Sequence, residues 1–472
     1  MALHASIFLF FFFPPVFLLH ALLPQRRVKN GLLLAASLIF CAFGQWQGIP
    51  VLLLSAAAAH GAGMLLRRVR GQKAVLSAAL VLQLGLLGSL KYLDFLTEIL
   101  NGALGLELAG PAWPMPVGLS FFTFKAIAYT VDAYRSGGAE GRRFGDVLLY
   151  LSFFPQITSG PIARFDQFAP QLEQRSPNAE QAAKGLRRFV VGFAKKLLLA
   201  GLTAPIVNSA FSMGDGLDVR LAWLGAVAYM VQLYVDFSGY SDMAIGMAAM
   251  FGFETPENFQ YPYLAASITD FWRRWHISLS SWFRDYVYIP LGGSRKGKIR
   301  AAVNKAAVFV LCGIWHGAGW TFLLWGAWHG LLSALETLGV INCKKLQKTA
   351  LGRAASRLYA LLAVCLGFVV FRAGSLAEAF SVLGAMFTGF GFTPASTLVL
   401  ERISPAAWCA LAAGIAACLP LGPKAVQWAD RLSPEGRRRV TAASYGGAVA
   451  LFALCLLAAA GSGFQPFIYG QF

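Results

Sequence analysis

Apolar runs of about 18 residues or more recur along this chain of 472 residues, and a helix needs roughly 20 such residues to cross a hydrocarbon core. No other feature narrows the fold as far. In lipid, every backbone N–H and C=O must be satisfied within its own segment, so repeated runs of this length point to an all-α, polytopic integral membrane protein. Composition agrees: 57% of residues are hydrophobic and 13% charged, where a soluble domain carries charge at about a quarter of its positions. The candidate spans are 6–24, 31–47, 49–66, 74–96, 146–160, 186–211, 221–251, 301–316, 318–340, 357–372, 404–421 and 441–461, which predicts about 11–12 transmembrane helices.

The first run contains Phe10, Phe11, Phe12 and Phe13 and has no Lys or Arg before it, whereas a signal peptide opens on basic residues. Arg26, Arg27 and Lys29 follow it, and Arg67, Arg68, Arg70 and Lys73 close the third run. The positive-inside rule places both loops in the cytoplasm and Met1 outside. The formal net charge of +18 is distributed in short clusters of this kind, which suits topology and anionic membrane lipid and not nucleic acid. The seven cysteines (Cys41, Cys312, Cys343, Cys365, Cys409, Cys418 and Cys455) fall mainly in apolar stretches without CxxC pairing and read as small hydrophobes. No internal repeat or long linker is visible, so a single membrane domain over 1–472 is expected.

Two stretches break the apolar rhythm. Residues 113–134 mix Pro114, Pro116 and Gly118 with aromatics and lead to Asp132 and Arg135, a pattern expected of a re-entrant or interfacial segment. In 269–286, Phe271, Trp272, Trp275, Leu279, Trp282, Phe283 and Tyr286 share one helical arc, opposite Arg273, Arg274, Ser281, Arg284 and Asp285. That predicts one amphipathic helix, capped by Thr269, lying in an interface or lining a wet cavity.

Among six histidines, His316 ends the apolar run AAVFVLCGIW and precedes another. An ionisable group at membrane depth usually faces the bundle interior and marks a pathway or site, although a hydrogen bond to a neighbouring helix explains it equally well. A neutral imidazole there could take the proton of a hydroxyl nucleophile, and Gly313, Gly317 and Gly319 would admit a substrate or another helix. His276 stands at the edge of the aromatic arc, facing either a cavity or a lipid headgroup. His329, 13 positions after His316, would point away from it on one continuous helix and reads as structural, as do His4, His20 and His60. Cys312 and His316 could share a helix face, but nothing completes a ligand set, so no metal is expected. Asp236 and Asp242, in YVDFSGYSDMAIG, lie six apart and so do not form a paired acid–base device; a polar tunnel wall or helix–helix hydrogen bonding fits them better. In the loop 291–300, Arg295, Lys296 and Lys298 meet lipid headgroups or a donor's phosphates.

Ordered stretches such as PVGLSFFTFKAIAYTVDAYR, FFPQITSGPIARF, QLYVDFSGYSDMAIGMAAMFGFETPENFQYPYL, TDFWRRWHISLSSWFRDY and CGIWHGAGWTFLLWGAWHG resemble the membrane-bound O-acyltransferase family, in particular its bacterial polysaccharide and peptidoglycan O-acetylating branch. The resemblance covers about 5–372, with 236–293 the most specific block, and leaves 404–461 as additional spans. It implies a helical bundle around a central tunnel, catalysis by His316 with His276 as the second active-site histidine, and tunnel-lining or donor-binding roles for Asp236, Ser238, Tyr240, Asp242, Asn258, Arg273, Arg274, Trp275 and Trp315. It further implies acetyl-CoA or another acyl thioester as donor with no tightly bound cofactor, a polysaccharide acceptor outside a bacterial cytoplasmic membrane, and a separate extracytoplasmic SGNH-hydrolase-like partner. Teichoic-acid D-alanyl transfer is the alternative within the family. Outside it, a transporter or flippase would also bury His and Asp, although such proteins often carry internal repeats.

Overall fold

The computed structural model describes residues 3–138 and 143–461, and every regular element among them is helical. The side assigned to Met1 therefore lies outside the described residues. Six helices are long and apolar enough to cross a membrane, or seven if the pair Pro394–Arg402 and Pro405–Ala417, bent by 82°, forms one broken span. Fewer of the predicted 11–12 runs form one straight helix of that length among the described residues, because several fold into shorter or broken helices. The run at 6–24 gives Ile7–Leu22, which is short of a full span, and the run at 146–160 gives only Phe144–Ser152 before the chain turns.

The chain forms two compact units. One comprises Met1–Phe189 with Met243–Pro256, the other Val190–Asp242 with Glu257–Phe472. In the first, the main helices are α1 (Phe13–Leu22), α2 (Arg26–Ala42), α3 (Ile49–Leu65), α4 (Gln72–Lys91), α5 (Leu119–Arg135), α6 (Phe144–Ser152) and α7 (Phe165–Gln174). Helix α5 packs against α3 and α4, and α6 against α2 and α3. The rings of Phe8, Phe12, Phe40 and Phe154 fill the space between them.

The expected break in 113–134 ends early, since α5 runs without interruption from Leu119 and buries most of its length. Its polar side chains are satisfied internally. Lys125 Nζ donates to the Tyr150 carbonyl (3.1 Å) and to Gln156 Oε1 (2.9 Å), and Thr130 Oγ1 to the Ala126 carbonyl (2.9 Å). The irregular backbone is found further on, in buried residues 153–163, where Ser37 and Tyr150 supply partners to Phe154 N and the Ala163 carbonyl. Non-helical backbone is tolerated at such depth when protein groups replace water as partners.

In the second unit the site is carried by α10 (Ile268–Arg274), α11 (Ile277–Phe283), α12 (Gly297–His316), α13 (Trp320–Leu338) and α14 (Ala350–Arg372). Helices α8 (Ala179–Phe211) and α9 (Val219–Met250) precede them. A π-turn at Lys195–Ala200 interrupts α8 and turns two consecutive lysines toward α9.

Candidate functional site

The amphipathic stretch folds as two short helices and not as the single helix expected, with Ser267, not Thr269, as its N-cap: the Ser267 hydroxyl accepts from Asp270 N. The chain breaks at Trp275 and His276, where His276 takes the left-handed conformation at φ 45°. Such a conformation costs a non-glycine residue about 1–3 kcal/mol and persists only where the surroundings enforce it. Asn258 enforces it here. Its carbonyl group accepts from Ile277 N (3.0 Å), while its side-chain Oδ1 accepts from Ser278 N (3.2 Å) and Ser278 Oγ (2.9 Å). A backbone N–H can only donate, so Oδ1 is the oxygen facing this turn, and Nδ2 donates to Ser241 Oγ (3.1 Å).

That orientation settles the histidine tautomer as well. His276 Nδ1 lies 3.2 Å from Asn258 Oδ1 and must carry the proton, which leaves Nε2 as the basic nitrogen. Burial pushes the His276 imidazole down to about 3, so the ring is neutral under ordinary conditions. Phe237 holds its face edge-on at 4.7 Å.

His316 is the last residue of α12, and α13 starts again at Trp320, so the two helices form a hairpin and not a continuous rod. Glycines let the backbones touch. A Cβ on Gly313 would lie 2.3 Å from the Phe322 carbonyl oxygen, and one on Gly326 would lie 2.5 Å from that of Phe309. The fold-back corrects the expectation that His329 points away from His316: both rings contact Trp325, at 5.1 and 5.2 Å. Phe371 of α14 closes the His316 side at 5.3 Å. The Trp315 ring, 4.9 Å from His316 and 6.4 Å from His276, links the two candidate histidines.

Trp275 is buried against Phe259 and Phe368. Arg273 and Arg274, adjacent in sequence, part company. Arg273 is exposed and lines a cavity of about 440 Å³, while Arg274 Nε binds Asp270 Oδ1 at 2.9 Å. The cavity has mainly apolar walls, with Lys305 adding positive charge to that of Arg273 while Arg284 is paired with Asp285 (Nε to Oδ1, 2.8 Å), and the walls include Trp272 and Cys312, the latter one turn before His316.

Asp236 and Asp242 do contact another helix, as one of the two sequence readings held, but through ion pairs. Asp236 pairs with Lys196 at 2.5 Å and Asp242 with Lys195 at 2.7 Å. Sequence reading missed the lysines because only the π-turn brings both to bear on α9. Ser238 and Tyr240 are buried on the same helix.

A multi-pass helical membrane protein with two neutral-capable histidines held at chain breaks, next to a cavity with positive walls, has the parts of an intramembrane group-transfer enzyme. The chain belongs to the membrane-bound O-acyltransferase family, whose model matches residues 119–376, a range containing every candidate site residue named above, and it is an O-acyltransferase. It is 39% identical to the probable alginate O-acetylase of Azotobacter vinelandii over 82% of this chain and 78% of that one. It is 33% identical to the peptidoglycan O-acetyltransferase of Helicobacter pylori over 81% and 79% respectively. Its likeness to the teichoic acid D-alanyltransferase of Bacillus subtilis, at 31%, extends over 54% of this chain and 68% of that protein.

Proposed function

We propose that this enzyme draws acetyl groups from a cytoplasmic thioester, acetyl-CoA or a similar donor, and passes them across a bacterial cytoplasmic membrane for O-acetylation of an extracytoplasmic polysaccharide. The observation that carries this reading is the apolar cavity lined by Arg273, Arg284 and Lys305, which ends within one helical turn of His316. Cations there suit a donor's phosphates, and apolar walls suit its thioester arm. His316 takes the proton of the acceptor hydroxyl as its oxygen attacks the thioester carbonyl; the C–S bond then breaks, and the thiolate receives the proton from the imidazolium. His276, neutral and fixed by Asn258, serves as the second polar group on the reacting centre. An SGNH-hydrolase-like protein outside the membrane completes delivery to the polymer. The O-acetylating relatives align over far more of the chain than the D-alanyl relative does, which favours acetyl over D-alanyl transfer.

Two experiments test the reading. In full-length enzyme, Arg273→Gln is expected to raise the donor KM several-fold, on the order of 1 kcal/mol for a solvent-screened contact, with unchanged protein in the membrane. Arg274→Gln, which removes the tie to Asp270 and a longer bond to the Gln260 carbonyl (3.5 Å), is expected to leave KM near wild type. Equal effects of the two would remove the cavity from donor binding. For orientation, Lys296→Cys in intact cells is expected to resist an impermeant thiol reagent until the membrane is permeabilised, since the loop 291–300 faces the cytoplasm together with the loops at Arg26 and Arg67. Labelling from outside would invert the proposed direction of transfer.

A further inference from the structure

Along α13, Trp325, His329 and Ser333 stand at i, i+4 and i+8, one above another on a single face that spans about 12 Å. They are 1%, 0% and 1% exposed, and Trp325 Nε1, His329 Nε2 and Ser333 Oγ have no hydrogen-bond partner among the described residues. An unmatched buried polar group costs about 1–3 kcal/mol, so three on one stripe point to a ligand that supplies their partners.

The stripe also has informative ends. Ser333 lines the cavity, while the Trp325 ring touches His316. Between them, His329 Nδ1 accepts from Trp272 Nε1 at 3.4 Å, which leaves the proton on Nε2. Only a glycine fits opposite, since a Cβ on Gly367 would stand 2.7 Å from Nε2. The stripe thus presents two N–H donors and a hydroxyl. Trp272 lines the cavity and packs its ring on Phe309, Trp325 and His329 at 5.2–5.5 Å.

We propose that Trp325, His329 and Ser333 form a hydrogen-bonding wall for the carbonyl oxygens of an amide-bearing acyl thioester as its arm advances from the cavity to His316, and that Trp272 is the plug this arm displaces. The proposal rests on the donor entering through the cavity. An all-hydrocarbon acyl chain would leave the three donors unmatched, whereas amide and thioester carbonyls meet them.

The test uses the full-length enzyme in detergent with three acetyl thioesters: acetyl-CoA, S-acetyl-N-acetylcysteamine and ethyl thioacetate. His329→Leu is expected to raise the KM for acetyl-CoA roughly five- to tenfold, the loss of about one neutral hydrogen bond, with kcat nearly kept. The ratio should shrink through the series as amides are removed, and His329→Gln, which retains an N–H donor, should recover part of the loss. Ser333→Ala, a smaller change in the cavity wall, should show the same dependence on donor amides and provides the test should His329→Leu fold poorly. A KM effect of equal size for all three thioesters, or none in either variant, overturns the wall. Failure of the underlying donor reading is seen separately: in Ser294→Cys, at the cavity wall, acetyl-CoA is expected to slow alkylation of the new thiol as followed by peptide mass spectrometry. No protection there removes the donor from the cavity, while protection combined with unchanged KM values removes only the wall.

Discussion

His316→Gln is expected to lower acetyl transfer by about 10² to 10⁴, the usual contribution of a positioned general base, while the protein accumulates in the membrane at its normal level. Glutamine approximates the size and polarity of histidine but does not take up a proton near neutrality. On the proposed route the donor passes the cavity before it reaches His316, so the loss should fall on kcat, and acetyl-CoA should still protect the cavity from alkylation. His276→Gln is expected to impair turnover too, since it removes the basic Nε2 that the bond from Nδ1 to Asn258 defines. His329→Gln should be much milder than either. Purified His316→Gln enzyme that transfers acetyl groups from donor to acceptor at the wild-type rate would refute the assignment of the base.

Asp236→Ala is expected to be the most damaging single change to stability among the buried polar positions of the second unit. Its side chain is 1% exposed and that of Lys196 5%, so truncating the aspartate takes a charged partner from an ammonium group whose solvation is already removed. Breaking a buried pair from one side costs about 3–5 kcal/mol, whereas replacing both partners with apolar residues of similar volume is often close to neutral. Asp236→Leu combined with Lys196→Met should therefore recover much of the thermal stability lost in Asp236→Ala, as measured on detergent-solubilised protein. Asp242→Ala, whose partner Lys195 keeps 19% exposure, should cost much less. Equal loss from the two single variants, or no recovery in the double one, would show that the charges matter through something other than their mutual burial.

Much of the protein is legible from one dimension. The recurring apolar runs dictate a helical membrane protein because lipid offers the backbone no partners, and this holds wherever the helices later pack. An ionisable group at the end of an apolar run singles out His316, and the resemblance to the family singles out His276.

Tertiary structure decided the rest. Periodicity shows an unbroken amphipathic helix at 269–286, but Asn258, ten or more residues upstream, offers the turn better hydrogen bonds than helix continuation would, and the chain breaks at His276. Residue spacing sends His329 away from His316 only on a continuous helix; glycine-lined contact between α12 and α13 folds the two back onto one tryptophan. Likewise, nothing local joins Lys195 and Lys196 to aspartates more than 35 positions later, a pairing made by a π-turn in one helix facing another. Local sequence fixed the solvent each segment tolerates and the chemistry it carries, because both depend on the side chains of that segment alone. Which side chains meet depends on partners distant in sequence, whose contacts outweigh the small preferences that periodicity records.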